Sequence, residues 1–203
     1  MTNDPTVFIV DDDEGVRSAL ALLMESIGMP VETFESAQTF LDQFDPLRSG
    51  CLILDVRMKG MSGLDLQERL TNEAIYPPVI IITGHGDVPM AVRAVKVGAV
   101  DFIEKPFNDQ VLLDSIHRAI EQDAQRRGKA MQRAEIEGRL ERLTPREQEI
   151  LNLVVSGKRN KTIAFELDIS QSTVEAHRSK VMEKMQARSL SDLMRMMLVQ
   201  RPT

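Results

Sequence analysis

Four groups of residues in the first half of the chain have the types and placement to do chemistry together: Asp11-Asp12-Asp13-Glu14, Asp55, Thr83-Gly84 and Lys105-Pro106. Each follows a short apolar run, at residues 7–10, 51–54, 79–82 and 101–103. Carboxylates crowded into one crevice repel each other unless protons or a cation compensate. Hard oxygen donors with room left for water suit Mg²⁺, which takes one or two protein carboxylates and leaves positions for phosphate oxygens. An aspartate kept ionised in such a place is able to attack phosphorus and form an aspartyl-phosphate. Lys105 then offers a point charge to a phosphate oxygen, and Thr83 a hydroxyl donor. Each group alone has a bland explanation. An Asp pair after a strand is often a helix N-cap, a lone Asp a turn residue, and a lone Lys simply solvated. Their joint occurrence after four separate apolar runs argues against coincidence.

The elements that must position these residues alternate along the chain. Residues 7–10, 31–34, 51–54, 79–82 and 101–103 read as strands, and 14–28, 37–44, 64–70, 89–97 and 109–120 as amphipathic helices. Strand and helix in turn, five times over, imply a parallel sheet covered on both faces. The first, third and fourth strands are continuously apolar, as central strands should be, whereas Val31-Glu32-Thr33-Phe34 alternates like an edge. Gly28 and Gly98 stand where helix C-caps are expected. The expected fold is α/β and flavodoxin-like, a (βα)5 unit with strand order 2-1-3-4-5. In such a sheet ligands bind beyond the carboxyl ends of the strands where the order reverses, here between strands 1 and 3. That places Asp11, Asp12 and Asp55 in one crevice, flanked by Thr83 and Lys105.

The remainder of the chain has a different character. Residues 1–122 carry 9 Lys/Arg against 20 Asp/Glu, and residues 123–203 carry 16 against 11, so an acidic front precedes a basic back. A basic unit is a candidate for phosphate backbones. Residues 122–143 are rich in Arg, Lys, Glu, Gln and Ala with only a patchy apolar stripe (Ile136, Leu140, Leu143), which reads as a helical linker weakened by Gly128 and Gly138. The expected division is residues 1–122, a linker at 123–142, and a second domain at 143–203. Four short helices are expected at 145–155, 161–167, 172–185 and 190–199, the first announced by Thr144-Pro145-Arg146-Glu147. Helix, the three-residue turn Asp168-Ile169-Ser170, then helix is a helix-turn-helix pattern. Ile163, Ala164, Leu167, Ile169, Val174, Val181 and Met185 form an inward stripe. The opposite surface offers Thr173, Glu175, Ala176, His177, Ser179, Lys180 and Lys184, a mix suited to base edges and phosphates. Asn160 and Lys161, opening the preceding helix, are placed to reach the phosphate backbone. A generic bundle with a solvated face shows the same helical spacing.

Several classes are excluded or disfavoured. The single cysteine, Cys51, rules out an internal disulfide and a multi-cysteine zinc site, and its apolar neighbours mark it as a small core residue. No apolar run approaches the roughly 20 residues that span a bilayer. The stretch from Met1 to Thr6 lacks a basic region followed by an apolar one, so no leader is expected and the cytoplasm is.

Val10-Asp11-Asp12-Asp13, Leu54-Asp55-Val56-Arg57-Met58, Ile82-Thr83-Gly84 and Glu104-Lys105-Pro106-Phe107 together resemble the receiver domain of two-component response regulators. Leu143-Thr144-Pro145-Arg146-Glu147, Asn160-Lys161-Thr162-Ile163-Ala164 and Ser172-Thr173-Val174-Glu175-Ala176-His177-Arg178 resemble the four-helix LuxR-type DNA-binding domain. The whole chain is thus similar to the NarL/FixJ subfamily, nearest its FixJ-like branch. The resemblance implies Asp55 as phosphoacceptor. It also implies Mg²⁺ (or Mn²⁺) held by Asp12, Asp55 and the backbone carbonyl of Arg57, with Asp11 acting largely through water. It implies that Thr83 moves onto the phosphoryl group while Phe102 turns inward, and that Lys105-Pro106 is cis. Lys59-Gly60 departs from the family, many members of which have Pro after the loop Met. Phosphorylation or dephosphorylation kinetics are expected to differ accordingly, while Asp55 keeps its role. His85, between two glycines, is expected to be a solvated loop residue or a modulator of phosphate hydrolysis. Met58 and Met61 are expected to pack the loop.

The function expected from the resemblance is transcriptional regulation by phosphorelay. A sensor histidine kinase phosphorylates Asp55, the surface of residues 88–103 is reshaped, and the protein dimerises on promoter DNA, usually to activate, with RNA polymerase as a further partner. No membrane partner is expected, nor multiple-turnover catalysis. Glu175 stands where several relatives carry Lys, and a carboxylate accepts from cytosine, so its sequence preference should differ. Two rivals belong to other classes. A Mg²⁺-dependent aspartyl-phosphate phosphatase usually has Asp-x-Asp after one strand, where this chain has Asp55-Val56-Arg57. A DNA binder indifferent to phosphorylation is separated by assay with and without a phosphodonor.

Overall fold

The computed structural model describes residues 4–73 and 77–200; residues 1–3, part of the stretch read above for a leader, lie outside the description, as do 74–76 and 201–203. The chain divides into two compact units, Met1–Arg126 and Arg127–Thr203.

In the first unit, β1 (Thr6–Val10), β2 (Val31–Phe34), β3 (Gly50–Asp55), β4 (Val79–Thr83) and β5 (Asp101–Glu104) form one parallel sheet ordered β2-β1-β3-β4-β5. Helices α1 (Glu14–Ser26), α2 (Ala37–Gln43), α3 (Gly63–Asn72), α4 (Val88–Val97) and α5 (Asp109–Leu140) connect and cover it. The continuous apolar runs are explained by two cores. Side chains alternate across a strand, so Phe8, Val10, Leu52, Leu54 and Ile81 pack on one face with Phe40 of α2, Leu66 and Leu70 of α3 and Ala94 of α4. Val7, Ile9, Cys51, Ile53, Ile80 and Ile82 pack on the other with Leu20 and Met24 of α1 and Leu112, Ile116 and Ala119 of α5. Each large side chain so buried contributes about 1.5–3 kcal/mol before chain entropy is charged against it. Cys51 is one of these core residues, and burial pushes its thiol pKa up to about 12, which makes it inert.

Polar residues just beyond the strands start the helices. Asp13 caps α1 by accepting from the amides of Gly15 and Val16, Ser62 caps α3, and Asp87 caps α4. The acidic run after β1 therefore splits into two roles. Asp13 serves the helix, while Asp11 and Asp12 are left for the crevice.

The second unit contains α6 (Pro145–Val155), α7 (Asn160–Glu166), α8 (Gln171–Met185) and α9 (Leu190–Gln200). Ile150, Leu151, Val154, Ile163, Val174, Val181, Met185 and Leu193 form its core. Thr144 and Glu147 complete the capping box at the start of α6.

The helix expected at 109–120 and the helical linker are one element, α5, which runs unbroken from Asp109 to Leu140 through Gly128 and Gly138. Its two ends serve different units. Asp123 is buried in the first, where its carboxylate accepts from the Gly50 amide at 3.1 Å and from Arg126 at 2.7 Å. Ile136 is buried in the core of the second, beside Leu143 and the partly covered Leu140. A helical glycine costs about 1 kcal/mol relative to alanine, less than burying one isoleucine returns. The apolar stripe is short because it covers one small domain, not because the helix is weak.

Candidate functional site

The sheet order brings the sequence-predicted residues together. Asp11 follows β1, Asp55 ends β3, Thr83 ends β4 and Lys105 follows β5. Pairing of Val10 with Leu54, Asp55 with Ile82 and Thr83 with Glu104 sets these ends level. The Lys105 Nζ lies 2.8 Å from both Asp11 Oδ2 and Asp55 Oδ1. Asp11, Asp55 and Thr83 are buried, and the half-buried Asp12 joins Asp11 and Asp55 in a trio that brings one carboxylate oxygen from each within 4.8 Å of the others.

Backbone donors aim the carboxylates. Asp55 Oδ2 accepts from the Arg57 amide at 2.7 Å, Asp11 Oδ1 from the Asp13 amide at 2.9 Å, and Asp12 Oδ2 from the Lys59 amide at 3.3 Å. Arg17 holds the Asp11 carbonyl at 2.7 Å. Gly63, at the start of α3, lies so close to β3 that a methyl group there would sit 2.1 Å from the carbonyl oxygen of Asp55. The Lys105–Pro106 peptide is cis.

Burial raises the Asp55 carboxyl above its ordinary pKa, opposed by Lys105 and reinforced by the charge of Asp11. Burial pulls the Lys105 ammonium down, but its bonds to Asp11 and Asp55 more than reverse that, and it stays charged. The ammonium pairs with two of the three carboxylates, Asp11 and Asp55. The remaining deficit of positive charge, with oxygen donors only, fits a hard divalent cation held by Asp11, Asp12 and Asp55. The Thr83 hydroxyl accepts from the His85 amide at 3.3 Å, and the His85 side chain is exposed. Phe102 is half-buried against the core under α2, α3 and α4. Met58 is buried and Met61 partly so on that same core.

In the second unit the turn between α7 and α8 opens with Asp168 at φ 51°, the left-handed conformation that Asp tolerates better than most residues. Ser170 caps α8 through the Thr173 amide. Ser172, Glu175, Ala176, Ser179 and Lys180 share the exposed face, with Lys161 exposed on α7. Other residues expected there are engaged or turned away. Thr173 is half-covered and bonded to Ser170. His177 is half-buried, and its Nδ1 has no partner among the described residues. Asn160 points back to the protein, accepting from Arg178 at 2.8 Å and donating weakly to Glu175 at 3.4 Å. Arg178, not singled out in the sequence, thereby joins the two helices; its polar partner on α7 leaves no periodic signal.

Lys184 departs furthest from expectation. It donates to the buried carboxylate of Glu147 at 2.6 Å and to the Arg142 carbonyl at 3.1 Å. Lys184, with the Thr144 amide, lowers the Glu147 pKa from 4.5 to about 2. A depressed carboxyl pKa stabilises fully above the unfolded value and loses that contribution as pH falls through the folded one. Urea denaturation of the second unit should therefore show stability declining from about pH 5 to pH 2. Lys184→Gln should cost about 1–3 kcal/mol at pH 7, below the full cost of breaking a buried pair because Lys184 is partly exposed, and should flatten that decline.

Comparison with known proteins agrees with both units. Residues 7–117 match the family described as response regulator receiver domain. Residues 141–197 match the bacterial regulatory proteins of the luxR family. The chain is 49% identical over 195 residues to the transcriptional regulatory protein FixJ of Rhizobium meliloti, covering 96% of each. It is 47% identical over 192 residues to the response regulator protein TmoT of Ectopseudomonas mendocina, covering 95% of this chain and 87% of TmoT. Among solved structures, the response regulator StyR matches with a TM-score of 0.88 at 47% identity, over 96% of this chain and 98% of that one. Full-length FixJ from B. japonicum matches with a TM-score of 0.59 at 43% identity, over 97% of each. Two family matches, near-complete coverage by relatives and the motifs themselves lead to one conclusion: the chain belongs to the FixJ-like response regulators, transcriptional regulators rather than enzymes, in which a receiver domain is joined to a LuxR-type helix-turn-helix DNA-binding domain.

Proposed function

We propose that phosphorylation of Asp55 by a sensor histidine kinase controls dimerisation and promoter binding by this regulator, which acts as an activator alongside RNA polymerase. The observation that carries the reading is Lys105 bridging Asp11 and Asp55 in a buried acidic crevice. Asp11, Asp12, Asp55 and the Arg57 backbone carbonyl would hold Mg²⁺, or Mn²⁺ in its place. When bound, the ion neutralises charge on the phosphoryl oxygens. An Asp55 oxygen forms the new P–O bond while the phosphohistidine P–N bond breaks and the departing imidazole takes a proton. Lys105 pairs with a phosphoryl oxygen, and the Thr83 hydroxyl leaves the His85 amide to do the same. Phe102 moves with Thr83. The change reaches α4 and β5, where Val88, Val92 and Val95 offer an exposed apolar face for a second copy.

Paired α8 helices then occupy half-sites about one helical turn apart. Lys161 and Lys180 contact phosphates, Ser172 and Ser179 reach base edges, and Glu175 accepts from cytosine. The functional domains follow from this as a receiver at 1–122 and a DNA-binding domain at 143–203, joined through α5. Footprinting with acetyl phosphate and Mg²⁺ tests the reading. Occupancy of promoter sites should tighten about 10- to 100-fold on phosphorylation. Equal binding with and without the phosphodonor would leave a DNA binder with no such input.

A further inference from the structure

We infer that Gly86 is a positioning residue for the switch, a site that must lack a side chain because the Phe102 ring rests on it. A Cβ atom at Gly86 would lie 2.9 Å from Phe102 Cε1, 3.3 Å from Cζ and 3.3 Å from the Thr83 methyl carbon. Among the described glycines, Gly86 alone is placed so that a methyl group would meet both switch side chains. The backbone of Gly86 is tied as well, its amide donating to Glu104 Oε1 at the end of β5 at 3.3 Å. That bond holds the loop against the strand that carries Phe102, so the loop does not simply retreat when crowded.

The arrangement is that of the resting switch, since the Thr83 hydroxyl is occupied by the His85 amide and Lys105 by Asp11 and Asp55. The Phe102 ring is the far end of a rotatable side chain, whereas Ile81, its register partner on β4, and Thr83 are fully buried. A methyl group at position 86 is therefore relieved by the ring swinging away, not by the strand moving. Crowding one of two states shifts the population to the other. Gly86 thus sets how much of the protein occupies the resting state, acting through Phe102 with no contact to the phosphoryl group. The inference rests on the proposed phosphorylation of Asp55 for its functional consequence, but the packing it invokes is independent of that reading.

A double-mutant cycle on the full chain tests it, with Gly86→Ala, Phe102→Ala and the pair. Two measurements apply: the initial rate of phosphoryl incorporation from acetyl phosphate with Mg²⁺, and the urea midpoint of the receiver. Gly86→Ala should speed incorporation about tenfold, the order of change that moderate overpacking of one state produces. In the Phe102→Ala background the added methyl should change the rate less than about twofold. If Gly86→Ala instead destabilises the receiver, Phe102→Ala should restore most of the midpoint. A rate or midpoint change of the same size in both backgrounds, or slower incorporation by Gly86→Ala, overturns the inference. Failure of the wild-type chain to incorporate phosphate strikes at the Asp55 reading instead, and the midpoint cycle still decides the packing claim.

Discussion

Asp55→Asn is expected to abolish phosphoryl incorporation and the tightening of DNA binding that depends on it, while leaving the receiver folded and more resistant to urea. A carboxamide is not a nucleophile towards phosphorus at neutral pH, so the covalent step is lost outright. The stability change has the opposite sign because of what surrounds the residue. Asp55 is buried with one carboxylate oxygen each of Asp11 and Asp12 within 4.8 Å of one of its own, and the Lys105 ammonium pairs with Asp11 and Asp55. Neutralising one carboxylate removes repulsion and a desolvation cost. An asparagine oxygen still accepts from the Arg57 amide as Asp55 Oδ2 does now. In Mg²⁺-free buffer the urea midpoint should therefore rise. Residual incorporation in this variant would move the acceptor elsewhere, and a clear loss of stability would mean that the bond to Lys105 outweighs the repulsion.

The second large effect concerns a residue outside any functional site. Ile136→Ala should destabilise the DNA-binding unit by about 2–4 kcal/mol, the range for truncating a fully packed aliphatic side chain. Ile136 is 3% exposed in the core cluster built from α6, α7, α8 and α9, although it belongs to the helix that begins in the receiver. The second unit spans residues 127–203, a size for which total stability is typically about 4–11 kcal/mol. One substitution thus removes a large share of it. Urea unfolding followed by circular dichroism should show the helical unit melting early and the receiver transition unmoved. Met131→Ala is the control, since Met131 is 73% exposed on the same helix and should shift nothing beyond about 0.5 kcal/mol. Equal effects at the two positions would place the domain boundary after α5 and restore the reading of that segment as a plain linker.

Most of the receiver was legible because its strands are buried on both faces, which writes them as continuous apolar runs, and because chemistry collects where those runs end. The helix-turn-helix was legible for a related reason: Thr144 and Ser170 are caps whose side chains bond the third amide of their helices, so the starts of α6 and α8 are written locally. What sequence reading missed is non-local. Asp12 was placed in the crevice, but the group that aims it, the Lys59 amide, lies 47 positions away and left no mark near it. Lys184 has the spacing of a surface lysine, yet Glu147, 37 positions earlier, claims it. The apolar stripe at Ile136 and Leu140 was read only as the patchy face of a linker helix, because its partners lie on helices that come later in the chain. In the sequence Gly86 is only one of the two glycines that flank His85. Its importance appears only when the ring of Phe102, from a neighbouring strand, is seen against it.

Borohydride reduction after phosphorylation tests the central chemistry most directly. It converts an aspartyl phosphate into homoserine, which peptide mass mapping locates. Wild-type protein treated with acetyl phosphate and Mg²⁺ should carry homoserine at position 55 and nowhere else, and the signal should vanish when a chelator replaces the metal. Homoserine at another aspartate, or an undiminished signal without divalent cation, would contradict a crevice in which Asp11, Asp12 and Asp55 share one ion.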